Sequence, residues 1–246
     1  MKIDILTIFP EMCEDFLSRS IIGRARQSGL VDISCVDIRD YSTDKHRKTD
    51  DTPYGGGMGM VMTAQPIYDA FRACAKNDKP YVVYMSPKGK VFNQEMAVEL
   101  SKKEHIVLLC GHYEGVDQRV LDEICDDEIS IGDYVLTGGE IAATVVADAV
   151  CRLLPGVLAS EECYIEESHF NGLLEYPQYT HPYEWNGVKV PDVLISGHHE
   201  NIAKWRREKS LEITAKRRPD MLKNVNLTKE DKQFLAKIKT QEDRKK

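Results

Sequence analysis

Three glycine-bearing turns are the stretches of this sequence best suited to hold a small molecule. They are Ser86-Pro87-Lys88-Gly89, Gly111-His112-Tyr113-Glu114-Gly115 and Ile131-Gly132-Asp133-Tyr134-Val135-Leu136-Thr137-Gly138-Gly139-Glu140. Each follows a short apolar run that reads as a strand, and open α/β sheets bind ligands at the carboxyl ends of their strands. Glycine lets backbone approach a ligand closely, although such turns also carry glycine for geometry alone. None reads G-x-G-x-x-G and G-x-x-x-x-G-K-[ST] is absent, so the dinucleotide and nucleoside-triphosphate fingerprints are missing. A fourth cluster, Tyr54-Gly55-Gly56-Gly57-Met58-Gly59-Met60, follows a polar stretch containing Lys45, His46, Arg47 and Lys48. A cationic loop of this kind can follow a nucleic-acid backbone or close over a substrate. Proton-transfer groups gather in Glu166-Glu167-Ser168-His169. On residue chemistry alone His169 is the better base, because histidine titrates near about 6.5 and a free glutamate near about 4.3. No metal-ligand set has workable spacing: His198 and His199 are adjacent, and on a helix they point to different sides. No Ser/His/Asp elbow occurs.

The elements that must position these groups alternate in an α/β rhythm. Strands are predicted over residues 3–9, 31–38, 81–85, 106–110 and 128–131, and helices over 11–28, 67–76, 94–103, 116–124 and 139–153. Apolar strands separated by helices predict a mostly parallel sheet covered on both faces. In the last helix Ala142, Val145, Val146, Ala149, Val150 and Leu153 share one stripe, which reads as core packing, and Pro155-Gly156 ends it. Residues 157–197 are rich in Gly, Pro, Tyr and Glu with little periodicity, too long for an ordinary connection. Helices over 198–216 and 229–239, the second capped by Thr228, follow. The expected organisation is an α/β domain over 1–156, an interdomain linker over 157–197 and a small helical domain over 198–246.

With 246 residues, 42% hydrophobic and 30% charged, and only 16 Gly and 10 Pro, the chain is an ordinary globular one, not collagen-like, disordered or disulfide-dense. No run reaches the about 20 apolar residues that a membrane span needs, since Asp148 interrupts the best candidate, residues 141–150. The acid at Asp4 and the early Pro10 do not suit a signal peptide, so the expected address is the cytoplasm. Seven cysteines without a C-x-x-C pair read as reduced and structural. The net charge of -7 is uneven: residues 200–246 hold 15 Lys+Arg against 8 Asp+Glu, a balance of +7, which leaves -14 for residues 1–199. A basic end on an acidic body suggests either a polyanion partner or a solvated helical face.

Several strings have a family look. Pro53-Tyr54-Gly55-Gly56-Gly57, Tyr113-Glu114-Gly115-Val116-Asp117, Ile131-Gly132-Asp133-Tyr134-Val135-Leu136, Gly138-Gly139-Glu140, Asn171-Gly172-Leu173-Leu174-Glu175 and Trp205-Arg206-Arg207 resemble those of bacterial tRNA (guanine-N1)-methyltransferases. These are the TrmD type of the knotted SPOUT superfamily, and the resemblance spans essentially the whole chain. It implies a homodimer that shares each active site between subunits and moves a methyl group from S-adenosylmethionine to N1 of guanosine at tRNA position 37. It also implies a deep trefoil knot, a rare exception to the connection rules that no periodicity reveals.

Carried over by position, the resemblance places the cofactor among Tyr84, Met85, Ser86, Pro87, Gly111, Tyr113, Glu114, Gly115, Ile131, Gly132, Tyr134, Val135, Leu136, Gly138 and Gly139. Glu114 would lie near the cationic sulfonium or hold a divalent ion such as Mg2+. Arg152 resembles the family arginine that stabilises charge on guanine O6, and by itself it also reads as a cation at a helix C-terminus. The general base maps to Glu167, counted back from Asn171-Gly172, where the family carries aspartate before serine. Desolvation would raise that carboxyl toward the working range. His112 stands where relatives often have arginine, and Met58 interrupts the glycine run. Lys45, Arg47, Lys48, Arg206, Arg207, Lys216, Arg217 and Arg218 are the expected tRNA phosphate contacts. The competing function is a tRNA-binding protein of this fold without turnover, which would have no need of intact cofactor turns.

Overall fold

The computed structural model describes residues 1–76, 79–160 and 162–243. In chain order the elements begin β1 (Lys2–Thr7), α1 (Pro10–Leu17), α2 (Ser20–Gln27), β2 (Asp32–Asp37), β3 (Asp50–Asp51), β4 (Val61–Met62), α3 (Ala64–Ala75) and β5 (Tyr81–Val91). They continue α4 (Gln94–Ser101), β6 (His105–Cys110), α5 (Gln118–Ile124), β7 (Asp127–Ser130), α6 (Glu140–Cys151) and α7 (Glu162–Ile165). The last are β8 (Glu184–Trp185), β9 (Val188–Lys189), α8 (His199–Arg217) and α9 (Lys229–Asp243). Two compact units result, Met1–Glu161 and Glu162–Lys246. No helix of the described residues is long and apolar enough to cross a membrane.

The first unit is built on a five-stranded parallel sheet in the order β2-β1-β6-β5-β7. Side chains alternate faces along a strand, so Ile3, Ile5, Ile106 and Leu108 pack with α1, α4 and α6. Leu6, Val107, Leu109 and Val82 pack with α3 and α5 on the other face. All six residues of β6 are buried, as expected of a central strand covered on both sides. Asp4 and Thr7 are the buried polar residues of β1, and the Asp4 carboxylate is held by Lys2 Nζ and His105 Nε2, each at 2.8 Å.

Four expectations change. Val145, read as part of the core stripe, is exposed, because the face that α6 buries runs through Ala142, Ala143, Val146, Ala147 and Val150. The helix over 11–28 is two helices, because the chain turns at Ser18 to Ser20 with Ser20 at φ 54, and a Cβ on Gly23 would strike the Ser18 carbonyl oxygen at 2.1 Å. Residues 86–89 are not a turn beyond a strand: β5 continues to Val91 through a register shift between Met85 and Lys90. Gly89 permits this, since a Cβ there would lie 2.4 Å from the Glu128 backbone. Short hairpins, β3–β4 and β8–β9, occupy stretches read from sequence as irregular. Burial pushes the Cys74 and Cys151 thiols up to about 12, so at neutral pH they are protonated packing groups.

Among its described residues the second unit holds the short α7, the β8–β9 hairpin and the two longer helices α8 and α9, joined by a polar framework. The α9 start is a capping box in which the Asp231 N–H donates to Thr228 Oγ1 at 3.1 Å and the Thr228 N–H to Asp231 Oδ2 at 3.0 Å. Residues 162–197 belong to this unit by contact.

Candidate active site

The middle of β5, at its register shift, and the carboxyl ends of β6 and β7 open on one cavity of about 280 Å³, near the lower end of small-molecule pockets. Tyr84, Met85, Ser86 and Pro87 line it from β5, and Gly111, Tyr113, Glu114 and Gly115 from the turn after β6. Ile131, Tyr134, Val135, Leu136, Gly138 and Gly139 line it from the segment after β7. That segment starts at the sheet edge, passes β5 and lodges against the end of β6, where the Gly139 N–H donates to the Gly111 carbonyl at 2.9 Å. The close approach needs glycine: a Cβ on Gly139 would meet Cys110 Cα at 2.7 Å, and one on Gly111 the Tyr84 hydroxyl at 2.7 Å. Burial pushes the Tyr84 hydroxyl up to about 12, so it stays a neutral donor.

Gly132 is not among the lining residues. It works from behind, at φ 151, where a Cβ would strike the Tyr134 ring at 2.5 Å. The cavity also takes in His112, Val116, Gln118, Thr137 and Ala142. Each lies beside a glycine turn or within the first turn of the helix that follows it, a position that sequence adjacency could have supplied. The glycine-rich loop also comes to this turn: the Glu114 N–H donates to the Met60 carbonyl at 2.9 Å, and the Glu114 side chain crosses Gly59, whose Cβ would meet it at 2.5 Å. Glu114 is the one carboxylate among the described lining residues, and no group of three or more His, Cys, Asp or Glu among the described residues could hold a metal ion.

Arg152 is the C-cap of α6, whereas the cavity lies at the N-terminal end of that helix. A 12-residue helix is about 18 Å long, so Arg152 is not brought to its own chain's cavity. Beside it, burial raises the Asp148 carboxyl while the Arg152 charge opposes the rise.

Glu167 belongs to the second unit, half-buried on a folded-back segment. That segment is pinned by buried Leu173, by the Leu174 N–H donating to Thr214 Oγ1 at 2.9 Å, and by the Glu175 N–H donating to Ser168 Oγ at 2.9 Å. His169 sits at φ 77 and its N–H donates to the Leu173 carbonyl at 2.9 Å, so its backbone closes the loop.

Many of the expected phosphate contacts are engaged within the chain. Arg207 grips Asp231 at 2.8 Å and holds its carboxyl below the usual carboxylate range. Arg218 pairs with Asp220 at 2.6 Å and Lys216 with Glu212 at 2.8 Å. Arg206 stacks 4.8 Å over the Tyr176 ring and lies 4.0 Å from Glu166. In the first unit Arg47 pairs with Asp40 and, at 3.6 Å, with Asp37. Arg217, Lys45 and Lys48 are exposed, and none of them makes an ion pair among the described residues.

The family model described as tRNA (Guanine-1)-methyltransferase TrmD matches residues 1–224. Among curated proteins, the chain is 60% identical over 232 residues to a tRNA (guanine-N(1)-)-methyltransferase of Ruminiclostridium cellulolyticum, covering 92% of this chain and 100% of that protein. Proteins of the same name from Clostridium perfringens strain SM101 and Clostridium beijerinckii are 59% and 60% identical over 235 residues. Those alignments cover 96% of this chain and 99% and 98% of the respective relatives. A match of this extent, with every glycine turn of the cavity inside it, shows that the chain belongs to the tRNA (guanine-1)-methyltransferase TrmD family.

Proposed function

We propose that this protein transfers the methyl group of S-adenosylmethionine to N1 of guanosine at position 37 of a tRNA. The observation that carries the reading is the convergence of β5, β6 and β7 on one cavity whose glycines admit a ligand against bare backbone. Amides of such turns read an adenine edge, while aliphatic side chains such as Ile131 and Leu136 cover its face. When bound, the donor supplies a methyl group on a cationic sulfur, and Glu114 is the lining group that complements that charge.

Guanine N1 keeps its proton at neutral pH, and its lone pair becomes nucleophilic as the proton leaves. Glu167 takes that proton while the new bond forms from N1 to the methyl carbon. The carbon–sulfur bonding pair stays on sulfur, which ends as a neutral thioether. Arg152 stabilises the charge that develops on O6. Because Arg152 stands about 15 Å along α6 beyond Ala142, the cavity-lining residue of that helix, it serves a site only when a second copy carries it there. A homodimer with shared sites follows, and the surface suits it. Met12 and Phe16 on α1, and Ile141 and Val145 on α6, are each one helical turn apart and exposed. These two helices pack together, and such an apolar face marks an interaction site. The tRNA lies on the cations of residues 200–246 and of the loop carrying Lys45 and Lys48, and such a substrate implies a cytoplasmic enzyme.

Incubation with radiolabelled S-adenosylmethionine and a tRNA transcript tests the reading. Label is expected in the RNA when position 37 is guanosine and not when it is adenosine; equal labelling of both, or none, would overturn it. Sedimentation is expected to show a dimer, and a monomer that keeps full activity would remove the shared site.

A further inference from the structure

A buried chain of side chains borders the cavity and takes no part in the transfer chemistry. Glu140, the first residue of α6, is 2% exposed. Its Oε1 accepts the Thr7 hydroxyl at 2.5 Å, and its Oε2 lies 2.8 Å from His112 Nε2. An ionised carboxylate only accepts, so in this pair the Nε2 position donates. Burying a carboxylate is costly unless its oxygens are matched, and both are matched here. The three residues come from three places that must meet: Thr7 ends β1, His112 lies in the turn after β6, and Glu140 opens α6. The His112 ring is further fixed edge-on to Phe9 at 4.9 Å and to Tyr113 at 5.9 Å, and the His112 backbone N–H donates to Met62 Sδ at 3.2 Å. No space is left over: a Cβ on Gly138 would lie 2.1 Å from His112 Nε2 and 2.5 Å from Glu140 Oε2. His112 and Gly138 also face each other in an antiparallel bridge.

We propose that Thr7, Glu140 and His112 are positioning residues for the donor pocket. Their hydrogen-bonded chain sets the spacing between the turns of Gly111 and Gly138, and thereby the affinity for the adenosyl group. This rests on the methyl-donor reading above. Gly138 is glycine because the histidine–glutamate contact occupies the place of its side chain.

Calorimetry of the full chain with S-adenosylhomocysteine, beside steady-state kinetics, tests the proposal on His112→Ala, His112→Gln and Glu140→Gln. A hydrogen bond to a charged group is worth about a 10- to 100-fold change in affinity. His112→Ala is expected to weaken binding and raise KM for S-adenosylmethionine by that factor while KM for tRNA stays unchanged. His112→Gln, which restores an N–H donor, is expected to recover most of the loss. The His112→Ala and Glu140→Gln losses are expected not to add in the double variant. If Glu140→Gln does not fold, the two His112 variants decide. Wild-type affinity in His112→Ala, no recovery in His112→Gln, or an equal rise of both KM values with a lowered Tm would overturn the proposal. Absence of any binding by the wild-type chain would instead overturn the donor reading itself.

Discussion

The two units of this chain are held together by different physics. Met1–Glu161 rests on a parallel sheet with apolar clusters on both faces, and its polar exceptions are buried and matched in pairs such as Asp4 with His105. In Glu162–Lys246 the buried residues among those described are Leu173, Ser210, Leu211, Thr214 and Asp231. What ties them is a set of polar contacts: Arg207 to Asp231, Thr214 to the Leu174 backbone, and Tyr176 to Glu166 at 3.2 Å. In the first unit the candidate site is a property of backbone and of the glycines that let backbone meet. In the second it depends on which charges are already engaged, and a sequence does not display that.

The largest expected effect falls on the second unit and should leave the first untouched. Replacing Glu167 by Gln is expected to lower the single-turnover methylation rate by about 10²–10⁴-fold with unchanged affinity for S-adenosylhomocysteine. If His169→Ala loses the rate and Glu167→Gln keeps it, the histidine carries the proton. The reverse pattern is expected at Gly111. An added methyl would meet the Tyr84 hydroxyl at 2.7 Å, and overpacking of about 1–3 kcal/mol corresponds to a loss of about tenfold to a hundredfold in donor affinity. The fold of the second unit should not change, and retained donor affinity in Gly111→Ala would contradict the assignment of the cavity.

Acid separates the units next. The Arg207 contact lowers the Asp231 carboxyl in the folded chain. Its stabilisation is therefore present above the unfolded value of about 3.9 and is lost as pH falls through the lower folded value. Both tryptophans, Trp185 and Trp205, lie in the second unit, so their fluorescence should report a transition below about pH 4 that Asp231→Asn diminishes. An identical transition in that variant would remove the ion pair from the account. The smallest effect distinguishes engaged from unengaged cations. Arg217→Ala is expected to reduce the salt slope of tRNA binding by about 0.7–0.9, one phosphate contact, and Arg218→Ala, whose guanidinium is already on Asp220, by less. Equal slopes would show that ion pairing within the chain does not govern the footprint.

Much of the first unit is legible in the sequence because its signals are local. A run such as Ile106–Cys110, with no polar interruption, reads as a strand buried on both faces, and the turns beyond it carry their glycines in plain view. Other features are missed because one distant atom decides them. The break between α1 and α2 turns on Ser20 at φ 54, and the long β5 on the fit of Gly89 against Glu128. The trefoil knot that family membership implies is encoded by no periodicity, and neither is the path of the segment that passes β5 to reach the end of β6. Glu167 is the reverse case: side-chain chemistry alone favours His169, and the family position supplies the glutamate. Arg152 is legible as a cation ending a helix, but its distance from the cavity appears only once α6 is seen to run away from it.

The proposed reaction is a single event, a methyl group leaving S-adenosylmethionine and arriving on N1 of guanosine. Nucleoside mass spectrometry of tRNA after reaction with isotopically labelled S-adenosylmethionine measures that event directly. The account predicts labelled 1-methylguanosine at position 37 and at no other nucleoside. Label on another atom or another position, from a chain that binds both donor and tRNA, would contradict it.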